Sequence, residues 1–358
     1  MKNQFKKITI IGNGKVCLRL VIYLLSSGVS PDCITVIIRP DSSTNRKELE
    51  EFQITLHSHH ETLSEADLVV LAVRPVDAPE LLQQLQKVTF KDGAALLSLV
   101  SDLSIEKIFT ALQWEQKKKA LIARGTLNTN IDLGCGVIAI TASNEVWPLL
   151  ETLFANAGAV IRMTGQQLKK MVAGIGSMNA LDLLFIFRLA VQHQKKTGAT
   201  ERKAVMYAYK KVLAYIQSIT LNQATISTNS ISYGTVNLIA KGATGKELNL
   251  AKNLVHQWIL AKIQCYQVLG FSQVDAIKLA ATTLKSAAQV LEAIQAESFE
   301  AIENRINTVL TKKGCTRDGY EELKATPDIQ DMLKKLQTIL LRIYDTSKKL
   351  LPKVTITA

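Results

Sequence analysis

Residues 8–17 decide the fold of this chain; they read Ile8-Thr9-Ile10-Ile11-Gly12-Asn13-Gly14-Lys15-Val16-Cys17. The apolar run predicts a strand, and the residues after the two glycines open an amphipathic helical pattern. A strand, a G-x-G-x-x-G turn and a helix form the dinucleotide-binding arrangement, here with Cys17 at the third glycine position. Gly12 permits the tight turn, and Gly14 leaves room for a pyrophosphate at the N–H groups that open the helix. We therefore predict a nucleotide site formed by Gly12, Asn13, Gly14, Lys15 and Val16.

The first 165 residues alternate apolar runs with helical patterns. This alternation predicts an α/β Rossmann domain with a doubly wound, mainly parallel sheet over residues 1–166. Beyond it the strand patterns stop, and residues 167–358 are predicted to form an all-α domain. Strands are predicted at 8–11, 34–38, 68–73, 95–99, 120–123 and 137–141, and helices near 15–27, 76–86 and 145–155.

The helical part contains a weak internal similarity at a spacing of 72 residues. Gly198-Ala199-Thr200 and Gly270-Phe271-Ser272 each separate two helical patterns, with the glycine as a stop and the hydroxyl residue as an N-cap candidate. Chance likeness between alanine-rich helices and a duplicated helical hairpin both explain this pattern.

Composition restricts the classes of function. The net charge of +12 would attract an anionic cofactor and substrate, but the basic residues form short clusters without interleaved aromatics, so nucleic-acid binding is not expected. No apolar segment is long enough to span a bilayer, and no leader precedes the first strand, so no membrane partner is expected. The five cysteines lack C-x-x-C spacing, which favours a reduced, cytoplasmic compartment.

The end of the second predicted strand indicates which nicotinamide cofactor binds. Arg39 follows this strand, and Ser42 and Ser43 come shortly after it. A guanidinium with hydroxyl groups suits the 2′-phosphate of NADP, whereas an acidic residue there suits the 2′-hydroxyl of NAD. Asp41 argues for NAD, and Arg39 as a solvated loop cation is an alternative. We predict NADP, as NADPH, in preference to NAD.

Four further segments of the sequence carry recognisable motifs. They are Leu71-Ala72-Val73-Arg74-Pro75, then Ala123-Arg124-Gly125-Thr126-Leu127-Asn128-Thr129-Asn130, then Gln167-Leu168 with Gly176-Ser177-Met178-Asn179-Ala180, and Thr311-Lys312-Lys313-Gly314-Cys315-Thr316. In this order, they are similar to an A-V-K-P turn, an R-x-M-P-N-T-P loop, a Q-L motif with a G-S-G-P-A motif, and an S-P-G-G-(A/T)-T substrate loop. With these four motifs in this order, the chain resembles the pyrroline-5-carboxylate reductase family.

The resemblance implies reduction of a small cyclic imino acid, 1-pyrroline-5-carboxylate, to proline by hydride transfer from NADPH. It also implies a helical domain that pairs two subunits, giving a homodimer or a higher homo-oligomer. The catalytic candidates are Thr316, whose hydroxyl would face the ring nitrogen, and Asn128. The substrate-binding residues implied are Thr311, Lys312, Lys313, Gly314, Cys315, Gly176 and Ser177, and the further cofactor-binding residues are Ala72, Val73, Arg74, Pro75, Asn128 and Thr129.

The chain also departs from the family pattern. Lys312 and Lys313 replace the proline and first glycine of the substrate loop, and their ammonium groups could bind a carboxylate or a larger anion. About 72 additional residues predict an extra helical hairpin within 199–270. Two alternatives stay open: a reductase of another imine or carbonyl acid, similar to hydroxyacid dehydrogenases, and a non-catalytic NAD(P)-binding relative.

Three other features of the sequence could suggest different chemistry. His57, His59 and His60 lack a carboxylate or cysteine partner at useful spacing, so we predict no metal site and place them in a loop beside the adenine. Lys169 and Lys170 lack the asparagine one turn later that a hydroxyacid dehydrogenase would need. Cys315 is interpreted as a space-filling residue of the substrate loop.

Overall fold

A computed structural model of the chain describes residues 5–101, 103–171, 174–175, 178–195, 216, 246–293, 300–301, 304–305, 307, 315–326 and 328–349. The chain divides into two compact units. The first comprises residues 1–176 and 344–358, and the second comprises residues 177–343.

The first unit contains an eight-stranded sheet with the strand order β3-β2-β1-β4-β5-β6-β7-β8. Neighbouring strands are parallel, except that β6 and β7 are antiparallel. The prediction of a doubly wound, mainly parallel sheet is therefore confirmed. The strands are β1 (Ile8–Ile11), β2 (Ile34–Ile37), β3 (Thr55–His57), β4 (Leu68–Leu71), β5 (Ala95–Ser98), β6 (Ile122–Leu127), β7 (Gly136–Thr141) and β8 (Gly158–Arg162).

Helices cover the sheet because the central strands are apolar on both faces. One apolar core contains the Tyr23–Phe154 ring pair, whose centroids are 5.8 Å apart, and a second core contains Leu82 and Ile108. The helices are α1 (Lys15–Ser26), α2 (Arg46–Glu51), α3 (Ala78–Leu85), α4 (Ile105–Leu112), α5 (Trp147–Leu153) and α6 (Gly165–Met171).

The structure adds two strands and two short helices that the sequence patterns did not predict. In β3, Thr55 and His57 are exposed, and β8 has only Ile161 buried, so neither strand has the continuous burial of the central strands. Strand β6 was predicted at residues 120–123 but extends to Leu127, because Arg124 and Gly125 pair with β7 although neither is typical of a strand. The additional helices are α2 and α4.

The regular elements described in the second unit are all helices, as predicted. They are α7 (Met178–Lys195), α8 (Lys246–Val268), α9 (Gln273–Ala293), α10 (Cys315–Lys324) and α11 (Ile329–Lys349), of which the residues from 344 onward belong to the first unit. None of the helices in the described ranges is both long and apolar enough to cross a membrane.

The turn between α8 and α9 has the predicted stop and cap. Gly270 has a φ of +83°, and the Oγ of Ser272 accepts a hydrogen bond from the backbone N–H of Asp275 at 3.1 Å. Residues 198–212, which form the other half of the internal similarity, lie outside the described residues. The duplicated hairpin and the domain boundary at residue 166 therefore stay predictions.

The second unit encloses a fully buried ion pair. Lys262 Nζ lies 2.8 and 2.6 Å from the two carboxylate oxygens of Asp182 and 2.6 Å from Thr283 Oγ1. The indole N–H of Trp258 donates to Asp182 Oδ1 at 2.7 Å, and the Trp258 ring stacks on Phe185 with 4.3 Å between centroids. Both charged side chains have 0 % exposure, so their hydrogen bonds replace water completely.

Candidate cofactor site

The glycine turn after β1 is closed on both sides by neighbouring strands. Gly12 has a φ of +109°, and its N–H donates to Ile37 O at 2.9 Å. A Cβ at this position would lie 2.7 Å from the carbonyl oxygen of Ala72. Both the conformation and the close approach therefore require glycine.

The second glycine of the turn faces open space. Gly14 is the N-cap residue of α1 with φ −74° and ψ −175°, and a Cβ there would meet no atom within 4 Å. No acidic residue lies in the first turn of the helix. The positive end of α1 therefore points toward a space that an anionic group can enter, as a pyrophosphate requires.

Cys17 fills the third position of the motif. Its side chain is fully buried against the sheet, as the packing role of this position demands. Burial raises the pKa of the Cys17 thiol to about 12, so the sulfur stays protonated at neutral pH. Cys17 is therefore a packing residue, not a nucleophile.

A cleft of about 490 Å³ opens at the carboxyl ends of β1, β2 and β4. The chain reverses its direction across the sheet between β1 and β4, which is where open α/β sheets bind ligands. Among the predicted cofactor residues, Lys15, Val16 and Pro75 do not line this cleft. Those that do are Gly12, Asn13, Gly14, Arg39, Ser42, Ala72, Val73 and Arg74.

The loop after β2 is held against the glycine turn by Asn13. The Nδ2 of Asn13 donates to Ser42 Oγ at 2.9 Å and to the carbonyl oxygen of Thr44 at 2.5 Å. Asn45, which has a φ of +50°, donates from its Nδ2 to the Asn13 carbonyl oxygen at 2.9 Å. Sequence reasoning missed Thr44 and Asn45, although an asparagine after a Ser/Thr run is a recognisable candidate for a left-handed turn.

Two arginines share one carboxylate at the cleft wall. Arg74 Nε and Nη2 lie 2.7 and 3.0 Å from the two oxygens of Asp77, and Arg39 Nη1 lies 3.7 Å from Asp77 Oδ1. The hydrogen bonds from Arg74, with the nearby charge of Arg39, hold the pKa of the Asp77 carboxyl below its usual value. Sequence reasoning missed Asp77, whose signal was its position three residues after Arg74.

The histidine-containing segment lies where it was predicted, beside the nucleotide cleft. His57 ends β3, and Ser58 and His60 line the cleft. Burial, with the neighbouring His59, lowers the pKa of His60, which favours the neutral imidazole at pH 7. Within the described ranges, no three His, Cys, Asp or Glu side chains come together as metal ligands do.

The proposed nicotinamide loop is fixed by backbone and side-chain contacts. Asn128 is buried; its N–H donates to the Val137 carbonyl oxygen at 3.1 Å, and its Oδ1 accepts from the Val137 N–H at 3.1 Å. Asn128 thus joins the end of β6 to β7 and does not line the cleft. In the next turn, Asp132 accepts from Arg19 of α1 at 2.7 Å, which ties this loop to the cofactor helix.

The candidate substrate residues fall largely beyond the described part of the chain. Gly176, Ser177 and residues 311–314 lie outside the described residues, as does the Thr129 side chain. Cys315 and Thr316 begin α10, but their side chains are not among those described. Their predicted roles therefore stay predictions.

Comparisons with known proteins identify relatives of this chain. A family model described as NADP oxidoreductase coenzyme F420-dependent matches residues 7–101. A curated pyrroline-5-carboxylate reductase from Aquifex aeolicus (strain VF5) is 30 % identical over 161 residues, which are 44 % of this chain. The match spans 58 % of that relative's length, less than two thirds.

Solved structures of pyrroline-5-carboxylate reductases share the fold. The enzyme from Coxiella burnetii has a TM-score of 0.54 and 21 % identity, covering 79 % of this chain and 98 % of its own. The enzyme from Plasmodium falciparum, solved with NADP bound, has a TM-score of 0.51 and 14 % identity, covering 80 % and 100 %. These structures confirm the Rossmann fold followed by helices.

The comparisons define the class of fold: residues 7–101 match a family model of NADP oxidoreductases, and the chain shares a Rossmann fold followed by helices with the solved reductases. Within that class, the chain is similar in sequence to a pyrroline-5-carboxylate reductase over 44 % of its length, as the motifs of the sequence predicted.

Proposed function

We propose that the protein is an NADPH-dependent reductase of a small cyclic imino acid, and that 1-pyrroline-5-carboxylate, which becomes proline, is its substrate. One observation carries this proposal: the cleft joins an open helix N-terminus at Gly14 to the cations Arg39 and Arg74. A helix N-terminus suits a pyrophosphate, and guanidinium groups suit the 2′-phosphate of the adenine ribose. The relationship to the Aquifex aeolicus reductase supports the reaction type.

The residues of the first unit would hold the cofactor, which supplies a hydride when bound. The first turn of α1 would bind the pyrophosphate, and Arg39 and Ser42 would bind the 2′-phosphate of NADP. Asp41 and Asp77 oppose this preference because both are acidic and both line the cleft. NADP is nevertheless the preferred cofactor in our proposal, because Arg39 and Arg74 share the single carboxylate of Asp77 and so keep one excess positive charge for a phosphate.

The proposed chemistry depends on positioning. A protonated imine is already electrophilic, so the protein needs to orient it and exclude water more than to transfer protons. We propose that Lys312 and Lys313 bind the substrate carboxylate and that the Thr316 hydroxyl faces the ring nitrogen. Asn128 would act by fixing the loop that carries Thr129, since its own side chain is buried.

The assembly and location are also proposals. The family resemblance favours a homodimer or a higher homo-oligomer whose helical domains pair, with the substrate site completed at their interface. The free cysteines Cys17, Cys33, Cys135 and Cys265 fit a reducing compartment, and we place the protein in the cytoplasm.

NADPH oxidation at 340 nm in the presence of pyrroline-5-carboxylate tests the proposal. We expect turnover with NADPH above that with NADH, and a loss of at least about tenfold in kcat/KM for Thr316→Ala, because the removed hydroxyl faces the reacting atoms. Thr110→Ala, at an exposed position of α4, is the matched control and should leave turnover unchanged. NADPH binding without turnover would contradict the proline assignment.

The departures in the substrate loop favour one alternative. Lys312 and Lys313 could hold an anion larger than pyrroline-5-carboxylate, so another imine or carbonyl acid would be the substrate if the first assay shows no turnover. A protein that binds NADPH tightly and turns over none of these acids would be the non-catalytic relative.

A further inference from the structure

We infer that Asp77 determines cofactor specificity by competing, as an internal anion, for the two arginines that would bind a 2′-phosphate. The inference deepens the proposed function and rests on it. It also assigns Arg74, beside Arg39, to the phosphate-binding end of the cleft.

The geometry of the three side chains supports a shared carboxylate. Asp77 accepts two hydrogen bonds from Arg74, at 2.7 and 3.0 Å, while Arg39 approaches only to 3.7 Å. Each guanidinium carries five donors, so one carboxylate cannot satisfy both. The two guanidinium groups and the one carboxylate form a trio, Arg39, Arg74 and Asp77, that keeps a net positive charge beside the cleft.

The solvent exposure of the trio makes the exchange feasible. The side chains of Arg39 and Arg74 are 67 % and 69 % exposed, against 26 % for Asp77. Exposed ion pairs contribute little free energy and are screened by salt, so a dianionic phosphate can displace a single carboxylate from an exposed guanidinium. The contact with Asp77 thus holds both arginines near the cleft and still allows them to bind a phosphate.

The carboxylate of Asp77 bonds to the arginines and does not cap the helix that follows it. Asp77 is the N-cap residue of α3, where aspartate commonly accepts a hydrogen bond from the helix. Within the described residues its side chain makes no such capping bond and instead contacts Arg74 and Arg39. Replacement by asparagine keeps the size and the N-cap preference but removes the competing charge.

The other anions of the cleft provide a control. Asp41 and Glu80 also line the cleft, and Asp41 is exposed in the loop that follows Arg39. Among the described ion pairs, Arg39 and Arg74 contact Asp77 and neither contacts Asp41. Asp41→Asn therefore removes the same charge without releasing an arginine.

Calorimetric titration with adenosine 2′,5′-bisphosphate and with 5′-AMP tests the inference on the full-length protein without needing turnover. We expect Asp77→Asn to bind the bisphosphate about fivefold more tightly, since both arginines lose the internal carboxylate that competes with the phosphate, and to bind 5′-AMP within about twofold of the wild type. Arg74→Gln should weaken bisphosphate binding by about tenfold. Asp41→Asn should change either affinity by less than about twofold, because it releases no arginine and solvent screens the charge of an exposed side chain.

Three results would overturn the inference. They are weaker or unchanged bisphosphate binding in Asp77→Asn, an equal gain in Asp41→Asn, and unchanged bisphosphate binding in Arg74→Gln. Failure of the proposed function looks different: the wild-type protein would bind neither nucleotide if the cofactor assignment is wrong, and it would bind NADPH without reducing pyrroline-5-carboxylate if the substrate assignment is wrong. Thermal unfolding of each variant, with midpoints close to the wild type, verifies that the affinities belong to folded protein.

Discussion

The cleft of the first unit and the core of the second unit each pair a carboxylate with a cation, in opposite surroundings. Asp77 meets Arg74 and Arg39 at the surface, whereas Asp182 meets Lys262 at 0 % exposure with Thr283 and Trp258 completing its hydrogen bonds. A pair in water can exchange its partner for a ligand at little cost, but a pair without water cannot. The difference in exposure supports the proposed ligand-binding role of the cleft trio and a structural role of the buried pair.

Burial works against the charges of the inner pair. It raises the pKa of Asp182 and lowers the pKa of Lys262, so desolvation opposes both ions even at contact distance. Such a pair contributes little net free energy while intact, yet its disruption leaves one uncompensated charge.

The largest effect is expected when the inner pair is broken. Lys262→Met should lower the free energy of unfolding by about 3–5 kcal/mol, because Asp182 then stays buried without its cation. Urea denaturation measures the loss. Lys278→Met, at an exposed position of α9, should change it by less than about 0.5 kcal/mol.

A double variant sharpens this result. Asp182→Asn combined with Lys262→Met leaves an amide oxygen for Trp258 and removes both charges, so most of the lost stability should return. If the single variant is nearly as stable as the wild type, the buried pair does not behave differently from the exposed trio.

The two glycines of the turn should separate folding from binding. Gly12→Ala should cost about 1–3 kcal/mol of stability and abolish NADPH binding, because its Cβ would meet the Ala72 carbonyl oxygen and its φ is +109°. Gly14→Ala should leave stability within about 0.5 kcal/mol and still weaken NADPH binding by at least about tenfold, since its methyl enters the pyrophosphate space. Thermal unfolding and NADPH titration check both. Tight NADPH binding by Gly14→Ala would show that the cleft receives its ligand elsewhere.

The ion pair between Arg19 and Asp132 is intermediate in burial between the cleft trio and the buried pair. Arg19 and Asp132 are 2.7 Å apart, with side-chain exposures of 24 % and 3 %. Arg19→Met should therefore cost about 1–2 kcal/mol, less than the buried pair and more than the exposed trio. Chemical denaturation of this variant beside Lys262→Met ranks the pairs; an equal loss in both would break the relation between burial and cost.

The smallest effect is the pH dependence due to Asp77. Its pKa is lowered in the folded protein, so its contribution is present above the unfolded pKa of about 3.9 and is lost as pH falls through the folded pKa. Because the partners are exposed, Asp77→Asn should change the unfolding free energy by less than about 1 kcal/mol at pH 7. Denaturation curves from pH 7 down to pH 3 should show the difference between wild type and variant shrink as the pH falls; a difference that grows on acidification would contradict this sign.

Local patterns were sufficient to predict the parts of the fold whose cause is local. The buried strands are indicated by apolar runs, and the turn after β1 is indicated by its two glycines. The structure has these elements at the predicted positions. The edge strands β3 and β8 are partly exposed, and backbone pairing with one neighbouring strand defines each of them. A run as short as Ala159-Val160-Ile161 does not distinguish a strand from other structure by its pattern.

The site shows the same limit. Gly12, Gly14, Arg39 and Ser42 were predicted from spacing along the chain, and all four line the cleft. The contact between Arg39 and Asp77 joins two loops that follow different strands, so no local pattern reveals it. The Lys262–Asp182 pair is likewise separated by 80 residues of sequence.

Calorimetric titration of the wild-type protein with NADPH and with NADH tests most directly the claim that the cleft binds NADP through its arginines. We expect saturable one-site binding of both, with NADPH bound at least about tenfold more tightly because its 2′-phosphate meets Arg39 and Arg74. Equal affinity would contradict the assignment of the arginines, and the absence of binding would contradict the assignment of the cleft itself.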